Sequence, residues 1–308
     1  MVYSDYHSPS HYVGAFTEAA LQLGSDAFQL TIPMQQEDVL DGPIWDTWHN
    51  VDMVVDLESI GTSIYRPLRV SALSAGIRIL RVTQPEDVLV RLPPDRTVRD
   101  RVRQAEEMLE KARRFYVHSY SGTDLEVNIA DRSAFGLWGA ADEPGKWDHW
   151  SVGVVVGGAN LSNTNGTLVI DVGDIILAMQ RYVTSRITLT IVEGVITAID
   201  GALDAALLRH WFEKWDDPRA YYISHIGLGC DPRADWNRMA RKEFGGIGDA
   251  ESYPGVFQIA FGRDTSWYIG GGTNDVVAHI DFNCLHHSMI LDEAPITHRG
   301  TFVHNDLK

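Results

Sequence analysis

Hydrophobic and polar positions in the first third of the chain alternate between helical and strand-like spacing. Apolar side chains recur at helical spacing over residues 9–23 and again over residues 67–75, and a glycine follows each stretch. Short runs rich in β-branched and other apolar residues separate and follow them, at residues 2–5, 27–32, 51–57 and 77–82. Strands that alternate with helices are typical of βαβ units, so we expect a small parallel sheet with helices on its faces.

The pattern changes after residues 97–114, a strongly amphipathic stretch that we predict to be a helix connecting two domains, with Thr97 as its cap. Beyond it, short hydrophobic runs separated by Gly, Asn and Asp indicate a mixed or antiparallel sheet, and a further helix is predicted over residues 233–244. We therefore predict a small N-terminal α/β domain over residues 1–110 and a larger C-terminal α+β domain over residues 111–308.

Composition and charge exclude several classes of partner. The chain has 308 residues, of which 26 are Lys or Arg and 42 are Asp or Glu, giving a formal charge of −16. Nucleic acids and anionic membranes bind basic surfaces, so neither is expected as a partner. Two cysteines, Cys230 and Cys284, imply no disulfide framework, and the polar start MVYSDYHSPSHY lacks a signal-peptide pattern. A reducing, cytoplasmic location is expected.

A His-x-Asp pair in the predicted strand VVAHIDF is the first candidate for chemistry. Residues i and i+2 of a strand point to the same face, so His279 and Asp281 project together from backbones about 7 Å apart. His225 lies at the end of another predicted strand, in the segment SHIGLGCDP. Two imidazoles and one carboxylate on adjacent strands would form the facial triad typical of non-haem Fe(II) sites. Alternatively, His279 and Asp281 only form hydrogen bonds within the sheet, or His286 or His287 is the ligand instead.

A second candidate is His149 in the segment DEPGKWDHW, where it lies between Trp147 and Trp150. An imidazole titrates near physiological pH and can exchange a proton with a substrate. The two indoles can stack on a flat ring, which would make them substrate-binding residues. The alternative is that both tryptophans pack in the protein interior.

Four segments carry a resemblance to a known family: SHIGLGCDP, VFQIAFG, GGGTNDVVAHIDF and LDEAPITHRG. Together they resemble the C-terminal half of the aminopeptidase T-like fold, and within it the 2,5-dihydroxypyridine 5,6-dioxygenase family of nicotinic acid degradation. The resemblance implies a mononuclear Fe(II) held by His225, His279 and Asp281, with His149 near the substrate. It also implies a homo-oligomer.

Departures from the peptidase pattern favour the dioxygenase branch. The peptidases have a glutamate where this chain has His225 and a histidine where it has Gln258, and WSVGVVVGG lacks a glutamate that helps to hold their second metal. A dinuclear site needs bridging carboxylates, so their loss favours one metal ion. The dioxygenases, however, are expected to have a histidine that acts as a base in the loop that here reads ESIGTSIYRP. Either Tyr65 replaces that histidine as the base, or the substrate differs.

These observations predict an Fe(II)-dependent dioxygenase that opens the ring of a dihydroxylated pyridine, with dioxygen as the second substrate. Arg66 and Ser266 are further predicted substrate-binding residues. The first alternative is an aminopeptidase T-like metallopeptidase, which would need a second metal ion. The second alternative is a binding or assembly protein that uses the same scaffold with an inactive site.

Overall fold

The computed structural model describes residues 1–34, 38–59, 65–150, 152–241, 247–265 and 271–308. Contacts divide the chain into two compact units. The first unit consists of Met1–Pro94 and Trp138–Ser151, and the second of Asp95–Leu137 and Val152–Lys308. No helix in the described ranges is both long and apolar enough to cross a membrane.

Helices and short strands alternate over the first 111 residues: β1 (Val2–Asp5), α1 (Ser10–Gln22), β2 (Gln29–Ile32), α2 (Gly42–Trp48), β3 (Met53–Asp56), α3 (Pro67–Ser74), β4 (Arg78–Val82), α4 (Glu86–Arg91) and α5 (Arg96–Lys111). Strands follow without a long helix: β5 (Arg114–His118), β6 (Asp124–Asn128), β7 (Ala134–Leu137), β8 (Trp147–Trp150), β9 (Val154–Gly158), β10 (Asn165–Ile170), β11 (Ile175–Ile176), β12 (Arg181–Tyr182), β13 (Ile187–Val192) and β14 (Val195–Gly201). The last third contains α6 (Leu203–Glu213), β15 (Ile223–Gly229), α7 (Ile247–Ser252), β16 (Phe257–Asp264), β17 (Asn274–Cys284), β18 (Ser288–Leu291), β19 (Ala294–His298) and β20 (Thr301–Phe302).

The first unit is built on a parallel sheet. Its described strands follow the order β2-β1-β3-β4-β8, and every neighbouring pair is parallel. Both faces of the sheet are covered, because alternate residues of a strand point to opposite sides. Tyr3 and Ile79 pack on one face with Trp48, whereas Val2 and Leu80 pack on the other. The predicted parallel α/β sheet is confirmed.

A buried cluster of charges lies at the carboxyl end of β3. Asp56 pairs with Arg69 at 3.1 Å and with Arg81 at 3.1 Å, and Arg69 also pairs with Glu58. Burial alone would raise the pKa of Asp56, but the two guanidinium groups outweigh it and lower that pKa. Buried charges of opposite sign that satisfy one another in this way fix the end of β3 against α3 and β4.

Two antiparallel sheets form the second unit. Within the described residues, one follows the order β14-β13-β10-β6-β5-β18-β19-β20 and the other the order β12-β11-β17-β16-β15-β9-β7. Phe115 of the first sheet stacks on Phe257 of the second, with ring centroids 5.7 Å apart. The predicted fold class, a small parallel α/β unit with a larger unit of antiparallel sheet, is confirmed.

The prediction has one domain boundary, at residue 110, but the chain passes between the two units more than once. Helix α5 contacts β7 and β9 and belongs to the second unit. Residues 138–151 return to the first unit, because β8 adds a parallel strand beside β4. The cap of α5 is Asp95 rather than Thr97, since the Asp95 carboxylate accepts from the backbone N–H groups of Thr97 and Val98.

The helix predicted over residues 233–244 is wrong in the described part of that range. The chain forms only a 3-10 helix, Trp236–Ala240. Asp231 accepts from the backbone N–H of Arg233, and Asp235 accepts from that of Asn237. A helix that began at residue 233 would use the Asn237 N–H for a bond within the helix, so the Asp235 turn competes with it.

Candidate metal centre

Two strands of the second sheet, one on each side of a third, carry the predicted metal ligands. His225 comes from β15, whereas His279 and Asp281 come from the same face of β17, and β16 runs between these two strands. The residues of β16 that pair with Asp281 and His279 are Ala260 and Gly262. Their small side chains leave room for the ligands of the outer strands to meet over the middle one. The structure therefore brings together the three residues that the sequence predicts.

The ligand atoms converge on one point. Nε2 of His225 lies 3.2 Å from Oδ1 of Asp281, and Nε2 of His279 lies 3.3 Å from Oδ2 of the same carboxylate. One nitrogen or oxygen atom from each of the three residues lies within 4.8 Å of the others. Within the described residues, this is the group of histidine, cysteine and acidic side chains that is compact enough to hold a metal ion.

One backbone carbonyl, that of Arg263, fixes the Nδ1 side of both imidazoles, directly for His279 and through Ser224 for His225. Nδ1 of His279 lies 3.2 Å from the carbonyl oxygen of Arg263, which can only accept, so Nδ1 carries the proton. The hydroxyl of Ser224 donates its single proton to the same carbonyl at 2.8 Å. Ser224 Oγ can then only accept from Nδ1 of His225, 3.2 Å away. These contacts favour a proton on Nδ1 of each ring, and a neutral ring in that form directs its Nε2 lone pair at Asp281.

This arrangement leaves acceptors facing acceptors. With Nδ1 protonated, the neutral rings of His225 and His279 place lone pairs against the carboxylate oxygens of Asp281. Burial raises the pKa of Asp281, but without a metal ion the positive charge of a protonated His279 and hydrogen bonds from both rings outweigh burial and hold that pKa well below its usual range. Burial likewise disfavours the imidazolium of His279, yet the Asp281 carboxylate raises its pKa above the usual value. A proton on one ring relieves one contact, whereas a divalent cation at the centre relieves both, so the residues present fit a metal ion.

A bulge between β16 and β17 lies beside the shared carbonyl. The pairing runs from Gly262 opposite His279 directly to Asp264 opposite Asn274, which leaves Arg263 of β16 and residues 275–278 of β17 outside the ladder. Gly262 has φ +101, and a Cβ built there would lie 2.2 Å from the carbonyl oxygen of Ala278. Glycine is required at this position because of that φ and that contact. The turn of the backbone directs the Arg263 carbonyl at Nδ1 of His279 and at the Ser224 hydroxyl.

An amide supports the carboxylate ligand from the other side. Nε2 of Gln258 lies 3.4 Å from Oδ1 of Asp281 and 3.5 Å from Oε1 of Glu251. Burial, followed by the nearby negative charge of Asp281, raises the pKa of Glu251 to about 8. Gln258 thus places its two N–H groups between two carboxyl groups, in the position expected of an outer partner that orients a metal ligand.

His149 lies in the first unit, on β8 opposite Arg81 of β4. Its Nε2 lies 3.2 Å from the hydroxyl oxygen of Thr83. Burial, followed by the positive charge of Arg81, lowers the pKa of His149 to about 3. The imidazole is therefore neutral at physiological pH, and its predicted role near the substrate stays a prediction.

The two tryptophans beside His149 lie on opposite faces of β8. Trp147 packs with the core cluster that contains Tyr3, and its indole Nε1 is buried without a partner within the described residues. Trp150 packs in the cluster that contains Leu89 and donates its Nε1–H to the Leu89 carbonyl at 3.2 Å. The two indoles therefore do not form a pair that encloses one ring.

Arg66 is engaged in ion pairs, with Asp38 at 3.2 Å and with the buried Glu58 at 3.7 Å. Tyr65 is the first residue after residues 60–64, which are not described. Ser266 lies outside the described residues as well. The substrate-binding roles of Arg66 and Ser266 and the role of Tyr65 as a base stay predictions.

The alternative ligands at 286 and 287 lie elsewhere in the second unit. His287 is buried, with Nε2 at 2.9 Å from the Thr123 hydroxyl and Nδ1 at 2.8 Å from the Leu285 carbonyl. His286 is exposed and adopts φ +62 in the turn before β18. Neither belongs to the converging group.

Sequence reasoning missed the residues that support the ligands. Ser224 directly precedes a predicted ligand, and Gly262 lies inside a strand pattern, where a glycine often marks a bulge. That signal was available in the sequence. The role of the Arg263 carbonyl was not, because any residue supplies a carbonyl and its direction depends on the bulge.

Two imidazoles and one carboxylate, on β15 and β17 with β16 between them, form a donor set of the kind that metal-dependent enzymes use and that would leave coordination positions open. A parallel α/β unit and a larger antiparallel unit complete the architecture. A solved structure of wild-type AmpT from Thermus thermophilus has this fold, with a TM-score of 0.66 and 12% identity over 98% of this chain and 94% of that one. This likeness shows the fold alone.

The family follows from stronger comparisons. The chain belongs to the NicX family, described as 2,5-dihydroxypyridine 5,6-dioxygenase, whose model matches residues 1–304. The curated 2,5-dihydroxypyridine 5,6-dioxygenase of Pseudomonas putida KT2440 is 37% identical over 254 residues, 82% of this chain and 71% of the relative. A solved structure of the 2,5-dihydroxypyridine dioxygenase from that strain has a TM-score of 0.92 and 31% identity, covering 100% of this chain and 92% of that one. The predicted family and the predicted enzyme class, a ring-cleaving dioxygenase, are confirmed.

Proposed function

We propose that this chain binds Fe(II) through His225, His279 and Asp281 and opens a dihydroxypyridine between carbons 5 and 6, with dioxygen as the second substrate. The relative from Pseudomonas putida is named for that reaction. The observation that carries the metal assignment is the convergence of three side chains, with the Nε2 atoms of both histidines 3.2 and 3.3 Å from the Asp281 carboxylate oxygens. Both atoms of dioxygen are incorporated, giving an N-formylmaleamate type of product from 2,5-dihydroxypyridine.

The ligand set supports iron over other cations. Two neutral imidazoles and one carboxylate are the platform of non-haem Fe(II) oxygenases, whereas Mg²⁺ and Ca²⁺ prefer oxygen ligands. When bound, Fe(II) supplies open coordination positions for dioxygen and the substrate. The protein's contribution is to keep both histidines unprotonated on Nε2 and to hold Asp281 through Gln258.

Residues of the first unit are proposed to handle the substrate. His149 is proposed to exchange a proton with the substrate, which requires the bound substrate to offset the burial and the Arg81 charge that lower its pKa. Tyr65 is the candidate base in the loop that lacks a histidine. Arg66, Trp147, Trp150 and Ser266 are proposed substrate-binding residues. Of the two tryptophans, Trp147 has a buried indole N–H without a partner within the described residues, which leaves a donor available to a ligand.

Oxygen uptake by the iron-loaded protein tests the function. We expect a single iron ion per chain after anaerobic loading, and one dioxygen consumed for each 2,5-dihydroxypyridine lost, across a panel that includes other hydroxylated pyridines. The zinc-loaded protein is the control and consumes none, because zinc has no redox chemistry. Two zinc or cobalt ions per chain together with peptide hydrolysis would favour the metallopeptidase alternative. No oxygen uptake with any member of the panel would favour an inactive scaffold.

Replacing His149 by alanine tests the proton-transfer role. We expect kcat for dihydroxypyridine cleavage to fall about 100-fold, since a general acid–base group typically contributes roughly 10²–10⁴-fold. Iron content should be unchanged, because His149 is not a proposed ligand. Steady-state oxygen uptake and metal analysis on the same sample check both expectations. An unchanged kcat would exclude His149 from the reaction.

The biological setting is also proposed. Nicotinate degradation, and N-heteroaromatic catabolism more broadly, is the context that a dihydroxypyridine substrate implies. Cys230 and Cys284 are free thiols in the protein interior, which fits a reducing cytoplasm. A homo-oligomer is proposed from the family resemblance.

A further inference from the structure

We propose that Ser224 is a positioning residue that keeps the metal site open by holding His225 in the Nδ1-protonated form. The proposal rests on the metal site proposed above. It assigns a role to a side chain that is 1% exposed and lies directly beside a ligand.

The argument starts from the proton count at the Arg263 carbonyl. This oxygen accepts from Nδ1 of His279 at 3.2 Å and from the Ser224 hydroxyl at 2.8 Å. A carbonyl oxygen has two lone pairs, so both bonds can form at once. The serine hydroxyl has a single proton, and the carbonyl takes it. Only an N–H on His225 then satisfies the contact between Ser224 and that ring at 3.2 Å.

The consequence lies on the other side of the His225 ring. Which nitrogen of an imidazole is protonated depends on the hydrogen bond that the other nitrogen makes. Without an acceptor at Nδ1, the proton of His225 is more favourably placed on Nε2, where it would donate to Oδ1 of Asp281 at 3.2 Å. A His–Asp hydrogen bond would then occupy both atoms that the metal ion needs.

The two histidines differ in how they depend on the serine. His279 contacts the Arg263 carbonyl directly, whereas His225 reaches it only through Ser224. Removing the hydroxyl therefore changes the tautomer of His225 and leaves that of His279 in place. A general loss of packing would not discriminate between the two rings in this way.

The experiment compares Ser224→Ala with Ser224→Thr, which restores a hydroxyl. In metal-free protein at mildly alkaline pH, long-range ¹H–¹⁵N NMR of the histidine rings should show His225 and His279 protonated on Nδ1. In Ser224→Ala, His225 should shift to Nε2 protonation while His279 stays unchanged. Zn²⁺ affinity, measured by chelator competition, should fall about 10–100-fold, as for other outer partners of metal ligands. Ser224→Thr should restore both.

The matched control is Ser288→Ala, which removes another buried serine hydroxyl of the second unit. Ser288 Oγ accepts from the backbone N–H of Arg299 at 3.0 Å, and within the described part of the chain it makes no hydrogen bond to the three ligands. Its variant should keep wild-type Zn²⁺ affinity. Wild-type affinity in Ser224→Ala, or His225 still protonated on Nδ1, would overturn the proposal. Because neither readout involves iron or dihydroxypyridine, failure of the oxygen-uptake assay alone would count against the proposed function and not against the role of Ser224.

Discussion

Replacing His279 by alanine is expected to give a folded protein that neither retains iron nor cleaves dihydroxypyridine. His279 supplies one of three ligand atoms, and its ring also carries the direct hydrogen bond to the Arg263 carbonyl. Losing a ligand should weaken metal binding by more than the roughly 10–100-fold loss typical of an outer partner. Metal analysis after anaerobic loading and desalting, together with oxygen uptake, measures both effects. Circular dichroism and the thermal transition verify that the variant is folded.

His298→Ala is the matched control for this prediction. His298 is an exposed residue at the end of β19 in the same unit, and it does not belong to the converging group. Its variant should keep the iron content and the turnover of the unchanged protein. Full activity in His279→Ala would refute the ligand assignment, whatever the control shows.

Gly262→Ala is expected to abolish metal binding and to destabilise the second unit. The added Cβ would meet the Ala278 carbonyl oxygen at 2.2 Å and the Cα of His279 at 3.3 Å, and it would have to adopt φ +101. A backbone conformation of this kind costs a non-glycine residue roughly 1–3 kcal/mol before any clash is counted, so we expect a loss of about 3 kcal/mol or more in the free energy of unfolding. Relief of the clash moves the bulge, and with it the Arg263 carbonyl. Chemical denaturation and Zn²⁺ titration measure the two effects.

Gly14→Ala provides the comparison for the stability effect. Gly14 is an exposed residue in the middle of α1, and a Cβ built there meets nothing within 4 Å. Alanine has the higher helix propensity, so this variant should gain about 0.5–1 kcal/mol and leave Zn²⁺ affinity unchanged. If Gly262→Ala behaved like Gly14→Ala, the bulge would have no part in the metal site.

The two-residue period of a strand predicts that His279 and Asp281 lie on one face, and the structure places them so, although the spacing alone left open whether they bind a metal ion. It could not establish that His225 joins them. That contact depends on the strand order β15-β16-β17 and on small residues at 260 and 262, which are properties of long-range pairing. The family resemblance predicted His225 as the third ligand, which local periodicity does not indicate.

The errors in the predicted fold have local and topological causes. Residues 233–244 show helical spacing, but the Asp235 side chain takes the backbone N–H of Asn237, which a continuous helix from residue 233 would use. The assignment of residues 138–151 to the first unit follows from a parallel pairing with β4, a strand more than 50 residues earlier in the chain. No hydrophobic pattern within a short window reports such a pairing.

The hub of the hydrogen bonds that support the ligands is a main-chain atom, the carbonyl oxygen of Arg263. This affects which substitutions the site can accept during evolution. Position 263 can change its side chain without removing the acceptor, since every amino acid carries that oxygen. The constraint on sequence lies instead on residue 262, because only a glycine readily adopts the backbone conformation that directs this carbonyl. Among relatives, residue identity at 263 is therefore a poor guide to whether this hub is intact, and a glycine at 262 is the better one.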